Sequence, residues 1–544
     1  MSQRSMRGAE VLVRSLQEAG VRRLFTLSGN HIMPVFDATL DAGIELIHTR
    51  HEAAAVHMAD GWARLTGEVG VALVTGGPGH ANAISALYTA FMAESPVLLL
   101  SGHAPCSQLG LGAFQEMQQA EIAKPLTKAA WTSEHAALLS RDVTTGWRTA
   151  ISGRPGPVHI SLPTDVLEAS VTSDGDLLAQ DAFAAATQTL TLADARALRE
   201  RLHAAKRPIV LTGPATLTHA GRARVKALEE RLGVPVIGME SPRGIADPAL
   251  GAFAEALAMA DVVLLLGKKL DFTLKFGRPP VFAATCEFMH VDPDDRELAR
   301  SRTAFGSRLR LAIRADAFPT IEALTRAPPE ASSSGSGWLD EVRQAIAFRP
   351  SAWDHATTGA DRLHPVQALR PLQQILDRNP NSVLVSDGGE IGQWAQACLS
   401  APHRVINGVA GSIGSALPFA LAARIAQPEA PVIAILGDGT FGFHCAEIDT
   451  AVRYGLPFVA VVGNDARWNA EYQIQLRDYG RERTIGCELL PSRYDKVCIG
   501  FGGHGEHVTV AEALLPAVER ALNSGLPACL NVMIDGLPAP NIKR

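Results

Sequence analysis

Short β-branched apolar runs recur along the chain, each ending at or beside glycine and each followed by a segment with helical spacing of apolar positions. They read GVALVTGG at 70–77, SPVLLLSG at 95–102, RPIVLTG at 207–213 and ADVVLLLG at 260–267. The same form returns as SVLVSDGG at 382–389, PVIAILGDG at 431–439 and PFVAVVGND at 457–465. A strand with one face in water alternates apolar and polar residues. These runs do not alternate, so both faces are covered, as in parallel sheets flanked by helices. The pattern predicts an α/β chain throughout. Two stretches interrupt it: a polar segment, SVTSDGDLLAQDAFAAATQTLT, breaks the rhythm near residue 185, and RAPPEASSSGSG at 326–337 has linker composition. Three doubly wound parallel-sheet domains follow, over 1–185, 186–350 and 351–544. Ligands of such sheets bind beyond the carboxyl ends of the strands, so the terminal glycine clusters are where chemistry is expected.

Composition narrows the function classes. At 544 residues the chain exceeds what one core supports, and with 47% hydrophobic and 19% charged residues it has ordinary globular content. A net charge of −6 offers no footprint for nucleic acid or an anionic membrane, which call for clustered Lys and Arg. The N-terminal MSQRSMRGAEVLVRSLQEAGV is amphipathic without an apolar signal core, and no run of about eighteen apolar residues occurs. A cytoplasmic protein without membrane partners is expected. The seven cysteines are scattered, odd in number and never in a CxxC pair, which predicts buried free thiols.

One stretch, TRHEAAAVHMADGWAR at 49–64, places Glu52 between two histidines at the head of an apolar helix. Zinc does not explain it: His51 and His57 are six apart, whereas two ligands on one helix face need i and i+4. A helix-start glutamate favoured by the dipole remains open. The most specific signal lies later. Gly437, Asp438 and Gly439 end one apolar run, and twenty-four residues, 440–463, then separate them from Asn464 and Asp465. That length suits a helix and a returning parallel strand, which brings Asp438 and Asp465 to one sheet edge. Two hard oxygen ligands beside exposed backbone amides suit Mg²⁺ and a diphosphate.

This segment resembles the thiamin diphosphate motif of the decarboxylase and acetolactate synthase superfamily, which usually ends in Asn-Asn where this chain has Asn464-Asp465. The resemblance spans the chain and implies pyrimidine-binding, central and diphosphate-binding domains in that order. It implies thiamin diphosphate and Mg²⁺ as cofactors, the metal held by Asp438, Asp465 and the backbone carbonyl of Arg467. Gly437, Gly439 and Thr440 would border the diphosphate. Gly388 and Gly389 of SDGGE match a loop that approaches the cofactor, and Gly411, Ser412 and Ile413 of AGSIG match the grip on the aminopyrimidine, with Ile413 wedged between the two rings. Glu52 in RHEAAA matches the glutamate that hydrogen-bonds the pyrimidine. Pro78 and Asn82 of GGPGHANAI match a loop bordering that ring. In LSGNHIMPVFD, His31 matches the histidine of the benzaldehyde lyase branch, a candidate proton shuttle, and in GAFQEMQQ, Gln115 matches a glutamine facing the reacting carbon. Read alone, His31 also fits a surface histidine and Gln115 a solvated helix. In the family the glutamate and the diphosphate clamp come from different subunits, which implies a homodimer or homotetramer.

Within the superfamily, LLLGKKLDFTLKFGRPP at 264–280 resembles the nucleotide-facing segment of 2-hydroxyacyl-CoA lyases and oxalyl-CoA decarboxylases. Lys268, Lys269, Lys275 and Arg278 would then meet the phosphates of CoA or ADP, although a plain charged loop explains them too. The expected activity is a carbon–carbon lyase and carboligase that cleaves a 2-hydroxyacyl thioester to an aldehyde and formyl-CoA and runs in reverse. The alternative is an acetolactate synthase-like or benzaldehyde lyase-like carboligase or decarboxylase of 2-oxo acids. AFQE favours the synthases, and the absence of their GARFDDR strand end speaks against them. A flavin in the central domain and a non-catalytic homologue complete the set of readings.

Overall fold

The computed structural model describes residues 5–171, 177–326, 337–357 and 361–544. The linker expected at 326–337 falls almost wholly outside the described residues, as does part of the polar segment before 185. The chain divides into two compact units, 1–186 and 187–544.

The first unit contains β1 (Met6–Arg7), β2 (Arg23–Thr26), β3 (Glu45–His48), β4 (Gly70–Val74), β5 (Val97–His103), β6 (Ala129–Thr132), β7 (Val158–Pro163) and β8 (Ser170–Val171). Six of these form a parallel sheet in the order β3-β2-β4-β5-β7-β6, and β1 pairs antiparallel with β8. β4 and β5 are buried at every position, which is why they read as unbroken apolar runs. The chain runs from β2 outward to β3 and then returns to β4 on the other side of β2. That reversal opens a crevice beyond Thr26 and Val74.

The second unit carries two sheets. Strands β9 (Pro208–Thr212), β10 (Val236–Gly238), β11 (Val262–Leu266), β12 (Glu287–Val291) and β13 (Leu309–Ile313) form a parallel sheet in the order β10-β9-β11-β12-β13. Strands β14 (Val383–Ser386), β15 (His403–Ile406), β16 (Val432–Gly437), β17 (Val459–Asn464), β18 (His504–Val508) and β19 (Ala528–Met533) form another, in the order β15-β14-β16-β17-β19-β18. Apolar clusters on the faces of both sheets give the covered α/β layers expected from the sequence. The direction of winding reverses between β14 and β16, and glycine stands where each strand passes into its helix, Gly388 after β14 and Gly437 at the end of β16.

All seven cysteines are unpaired, and Cys286, Cys487, Cys498 and Cys529 are buried. Among the described residues no helix is long and apolar enough to cross a membrane.

Candidate active site

In the first unit the crevice between β2 and β4 collects the predicted residues. Glu52 opens the helix Glu52–Thr66, where His51 caps it by accepting from the Ala53 N–H at 3.1 Å. The Glu52 side chain is buried, and its Oε2 accepts from Asn82 Nδ2 at 3.0 Å. Asn82 lies in the first turns of the helix Pro78–Met92, whose ring-locked φ at Pro78 suits a first helical position. A methyl on Gly79 would stand 3.2 Å from Glu52 Oε1, so the loop after β4 presses closely on the carboxylate.

His31 is also buried, with Nδ1 3.3 Å from Thr75 Oγ1 and its ring stacked 6.1 Å from Phe114. Burial, aided by the nearby His103, holds its pKa below the ordinary imidazole value against a hydrogen bond to the Phe114 backbone. Gln115, next to Phe114, has φ +58° and lies against Gly77, where an added Cβ would stand 2.8 Å from Gln115 Cβ. The surface-histidine reading of His31 therefore fails, because the ring is enclosed.

In the second unit β16 and β17 run in register, Gly437 opposite Gly463, so Asp438 and Asp465 leave the same sheet edge. Both carboxylates are buried. Desolvation raises Asp438 to about 6, partly offset by backbone hydrogen bonds. Asp465 rises to about 7, through desolvation first and then the Asp438 charge. Arg467 donates its backbone N–H to Asp438 Oδ2 at 3.2 Å and bridges antiparallel to Glu488. Its flanking Ala466 carbonyl and Trp468 N–H bond toward that partner strand. The N–H and carbonyl of Arg467 therefore both turn away from it, toward the side on which Asp438 lies. Among the described residues the Arg467 carbonyl accepts no hydrogen bond.

Gly388 and Gly389 follow β14 as predicted, and each needs to be glycine for a different reason. Gly389 has φ +80°, whereas a Cβ on Gly388 would stand 2.6 Å from Ile413 Cγ2. Asp387, fully buried, ties this loop to the next by accepting from the N–H groups of Gly388, Gly414 and Ala416 at 2.7–3.1 Å, and burial raises it to about 6. Thr440 Oγ1 accepts from the Gly437 N–H and donates to the Gly437 carbonyl, each at 3.1 Å, which fixes the turn before Asp438. Gly388, Gly411, Ile413, Asp438, Asp465 and Arg467 border one cavity of about 240 Å³.

Three family models cover most of this architecture. Residues 6–122 match the thiamine pyrophosphate enzyme N-terminal TPP-binding domain, 195–324 the central domain and 387–532 the C-terminal TPP-binding domain. A probable acetolactate synthase of Mycobacterium bovis is 34% identical over 98% of this chain and 96% of its own length. The chain belongs to the thiamin diphosphate-dependent enzymes. The 2-hydroxyacyl-CoA lyase 2 of Homo sapiens is 31% identical over 97% of this chain and 90% of its own. The acetolactate synthase isozyme 3 large subunit of Escherichia coli is 29% identical over 97% and 95%.

The site of this thiamin diphosphate-dependent enzyme fits a bound cofactor on its own chemistry. Asn407 Oδ1 and Gln393 Oε1, both from residues bordering the cavity, are buried without a hydrogen-bond partner among the described residues. Orphaned acceptors of this kind are costly unless a ligand supplies donors. Glycines 388 and 439 hollow out the cradle, the latter because a Cβ there would stand 2.6 Å from the Trp468 ring. Among the described residues no three His, Cys, Asp or Glu side chains converge on a metal position. A cation here would rest on two carboxylates and a main-chain oxygen, completed by phosphate oxygens.

The central-domain cluster divides by exposure. Lys268, just past β11, is 3% exposed, and its Nζ donates to the Lys269 carbonyl, Asp271 Oδ1 and Thr273 Oγ1 at 2.8–3.3 Å. Its ammonium is engaged within its own loop. Lys269 is half-buried, while Lys275 and Arg278 are exposed, Arg278 lying 6.0 Å from the Phe276 ring. Of the four cations, Lys268 alone is buried.

Residues missed from sequence include Thr75, Gln119, Asn407 and Trp468. Gln119 is 1% exposed, accepts from the Gly77 N–H at 2.8 Å and donates to the Gly102 carbonyl and Ser161 Oγ at 3.1 Å. It joins the ends of three strands. Its only sequence signal is its place four residues after Gln115, which nothing distinguished from a polar surface.

Proposed function

We propose that this enzyme makes and breaks the carbon–carbon bond of 2-hydroxyacyl thioesters, giving an aldehyde and formyl-CoA in the cleavage direction. The observation that carries this reading is His31, a buried imidazole held by burial below its ordinary pKa, beside the loop of Gln115. Cleavage of a 2-hydroxyacyl substrate requires a base for the hydroxyl proton, whereas loss of carbon dioxide from a 2-oxo acid does not.

Bound thiamin diphosphate would supply a carbon nucleophile and an electron sink for the bond being broken. Glu52, fixed by Asn82, would hold a proton on the pyrimidine. Asp438, Asp465 and the Arg467 carbonyl would hold Mg²⁺ against the diphosphate, with Gly388, Gly389, Gly437, Gly439 and Thr440 shaping the cradle. Gly411, Ser412 and Ile413 would support the aminopyrimidine. His31 would take the hydroxyl proton as the carbon–carbon bond opens and return it to the formyl carbon, which leaves the reaction balanced. We place the two halves of the site on different protomers of a homodimer or homotetramer.

A second reading, acetolactate synthesis from 2-oxo acids, is favoured by the mycobacterial and E. coli relatives and by Gln115 in AFQE. Supplying the enzyme, thiamin diphosphate and Mg²⁺ with a 2-hydroxyacyl-CoA and, separately, with pyruvate distinguishes them. Aldehyde and formyl-CoA without carbon dioxide are expected; carbon dioxide and acetolactate from pyruvate, with the thioester untouched, overturn the lyase reading.

A further inference from the structure

The segment 109–119 contains a residue that no role above absorbs. Glu116 accepts three backbone N–H groups from its own loop: Gly110 at 2.5 Å on Oε1, and Gly112 at 3.0 Å and Ala113 at 2.9 Å on Oε2. These amides hold its carboxyl below the usual carboxylate range although it is only half-buried. A carboxylate with both oxygens engaged by main chain closes a turn more firmly than a neutral acceptor can. Immediately before it, Gln115 sits at φ +58°, a conformation rare for a residue with a side chain. Such a conformation persists only where its surroundings impose it. Here Gln119, buried, fastens the far end of the segment to Gly77, Gly102 and Ser161, and Gly77 gives the Gln115 backbone the space it occupies. Phe114, on the other side of Gln115, stacks on His31.

We infer that Glu116 is a positioning residue: by clasping the Gly110, Gly112 and Ala113 amides it holds the 109–116 loop so that Gln115 and Phe114 are presented to the reaction beside His31. The inference rests on the reading of Gln115 as a residue facing the reacting carbon. Its own content is that the carboxylate acts through the loop and touches neither substrate nor cofactor. Its effect should therefore fall on the bond-breaking step and spare cofactor activation, which belongs to Glu52. Displacement of a reacting geometry by about 1 Å costs about 100-fold in rate.

The test compares Glu116→Ala, Gln115→Ala and the double variant, each loaded with thiamin diphosphate and Mg²⁺. In Glu116→Ala, hydrogen exchange of the amides at 110–113 should accelerate, while exchange of the cofactor C2 proton and the melting temperature stay as in the parent. With whichever substrate the enzyme turns over, kcat should fall about 10–100-fold with KM within about threefold, and the double variant should be no slower than the slower single variant. Unchanged kcat in Glu116→Ala beside a crippled Gln115→Ala overturns the positioning role alone. Unchanged kcat in Gln115→Ala overturns the reading beneath it as well. Slowed C2 exchange in Glu116→Ala overturns the separation of the two functions.

Discussion

The Asn82 side-chain amide donates to Glu52 Oε2 at 3.0 Å, joining the head of one helix to the first turns of another thirty residues later. A hydrogen bond to a buried carboxylate sets where its oxygens point as well as stabilising it. Glu52→Gln keeps the shape but gives up a proton-sharing carboxylate, so kcat should fall about 10²–10⁴-fold with cofactor C2 exchange slowed in parallel. Asn82→Ala should retain the carboxylate and lose part of its orientation, giving a smaller loss in the same exchange assay. Equal exchange rates in Glu52→Gln and the parent would remove the glutamate from the mechanism.

If Glu52 and Asp438 serve one site from different protomers, two inactive variants can rescue each other. Glu52→Gln and Asp438→Asn are each expected to be inactive. After mixing and reassembly, about half the dimers are hybrids, and each hybrid carries one intact and one doubly defective site. Recovery of about a quarter of parental activity is expected; no recovery in dimers shown by native mass spectrometry to have exchanged sinks the shared-site arrangement.

Gly388 tests the cradle without touching a charged group. A Cβ there would stand 2.6 Å from Ile413 Cγ2, so Gly388→Ala must displace Ile413, which borders the cofactor cavity. Overpacking of this size costs about 1–3 kcal/mol, and where it falls on the bound state it weakens thiamin diphosphate affinity about 5–150-fold. Fluorescence titration with the cofactor at saturating Mg²⁺ measures it, and the melting temperature of the cofactor-free protein should change little.

His159 is fully buried in β7 with both ring nitrogens lacking a hydrogen-bond partner among the described residues, and its ring centroid lies 4.5 Å from that of His80. Burial holds His159 well below an ordinary imidazole pKa and His80 at about 4. Both therefore stay neutral in the folded state while the unfolded chain takes up protons near pH 6.5. Stability from these groups is present above pH 6.5 and declines as pH falls toward 4, by up to about 1.4 kcal/mol per pH unit for each. Asp387, raised to about 6, acts in the opposite sense: its contribution is present below the ordinary carboxylate pKa and lost as pH rises through 6. The difference between parent and His159→Phe isolates the imidazole, and urea unfolding at pH 7 and pH 5 should show the variant losing less stability on acidification.

Lys268 separates a structural from a nucleotide-binding cation. Lys268→Met removes the donor to Asp271 and Thr273 and should cost about 1–3 kcal/mol in urea unfolding, with KM for a CoA substrate unchanged. A selective rise in that KM at unaltered stability would restore the phosphate-binding reading.

The apolar runs determined the α/β class, because a strand covered on both faces must be apolar at every position and only helices cover it so. The spacing from Asp438 to Asp465 likewise determined that two acids share a sheet edge, since a helix and one parallel return have nearly fixed length. Glu52, a charged residue among alanines, marked itself as needing a partner, and local pattern stops there. Its contact with Asn82, the enclosure of His31 and the stapling by Gln119 depend on loops from distant strands arriving at one crevice. Lys268 shows the converse: four cations in eleven residues looked like one site, but loop geometry turned the first of them inward onto its own neighbours. Strand identity is written in nearest-neighbour periodicity, whereas which polar group meets which is decided by the winding order of the sheets and the space that individual glycines leave.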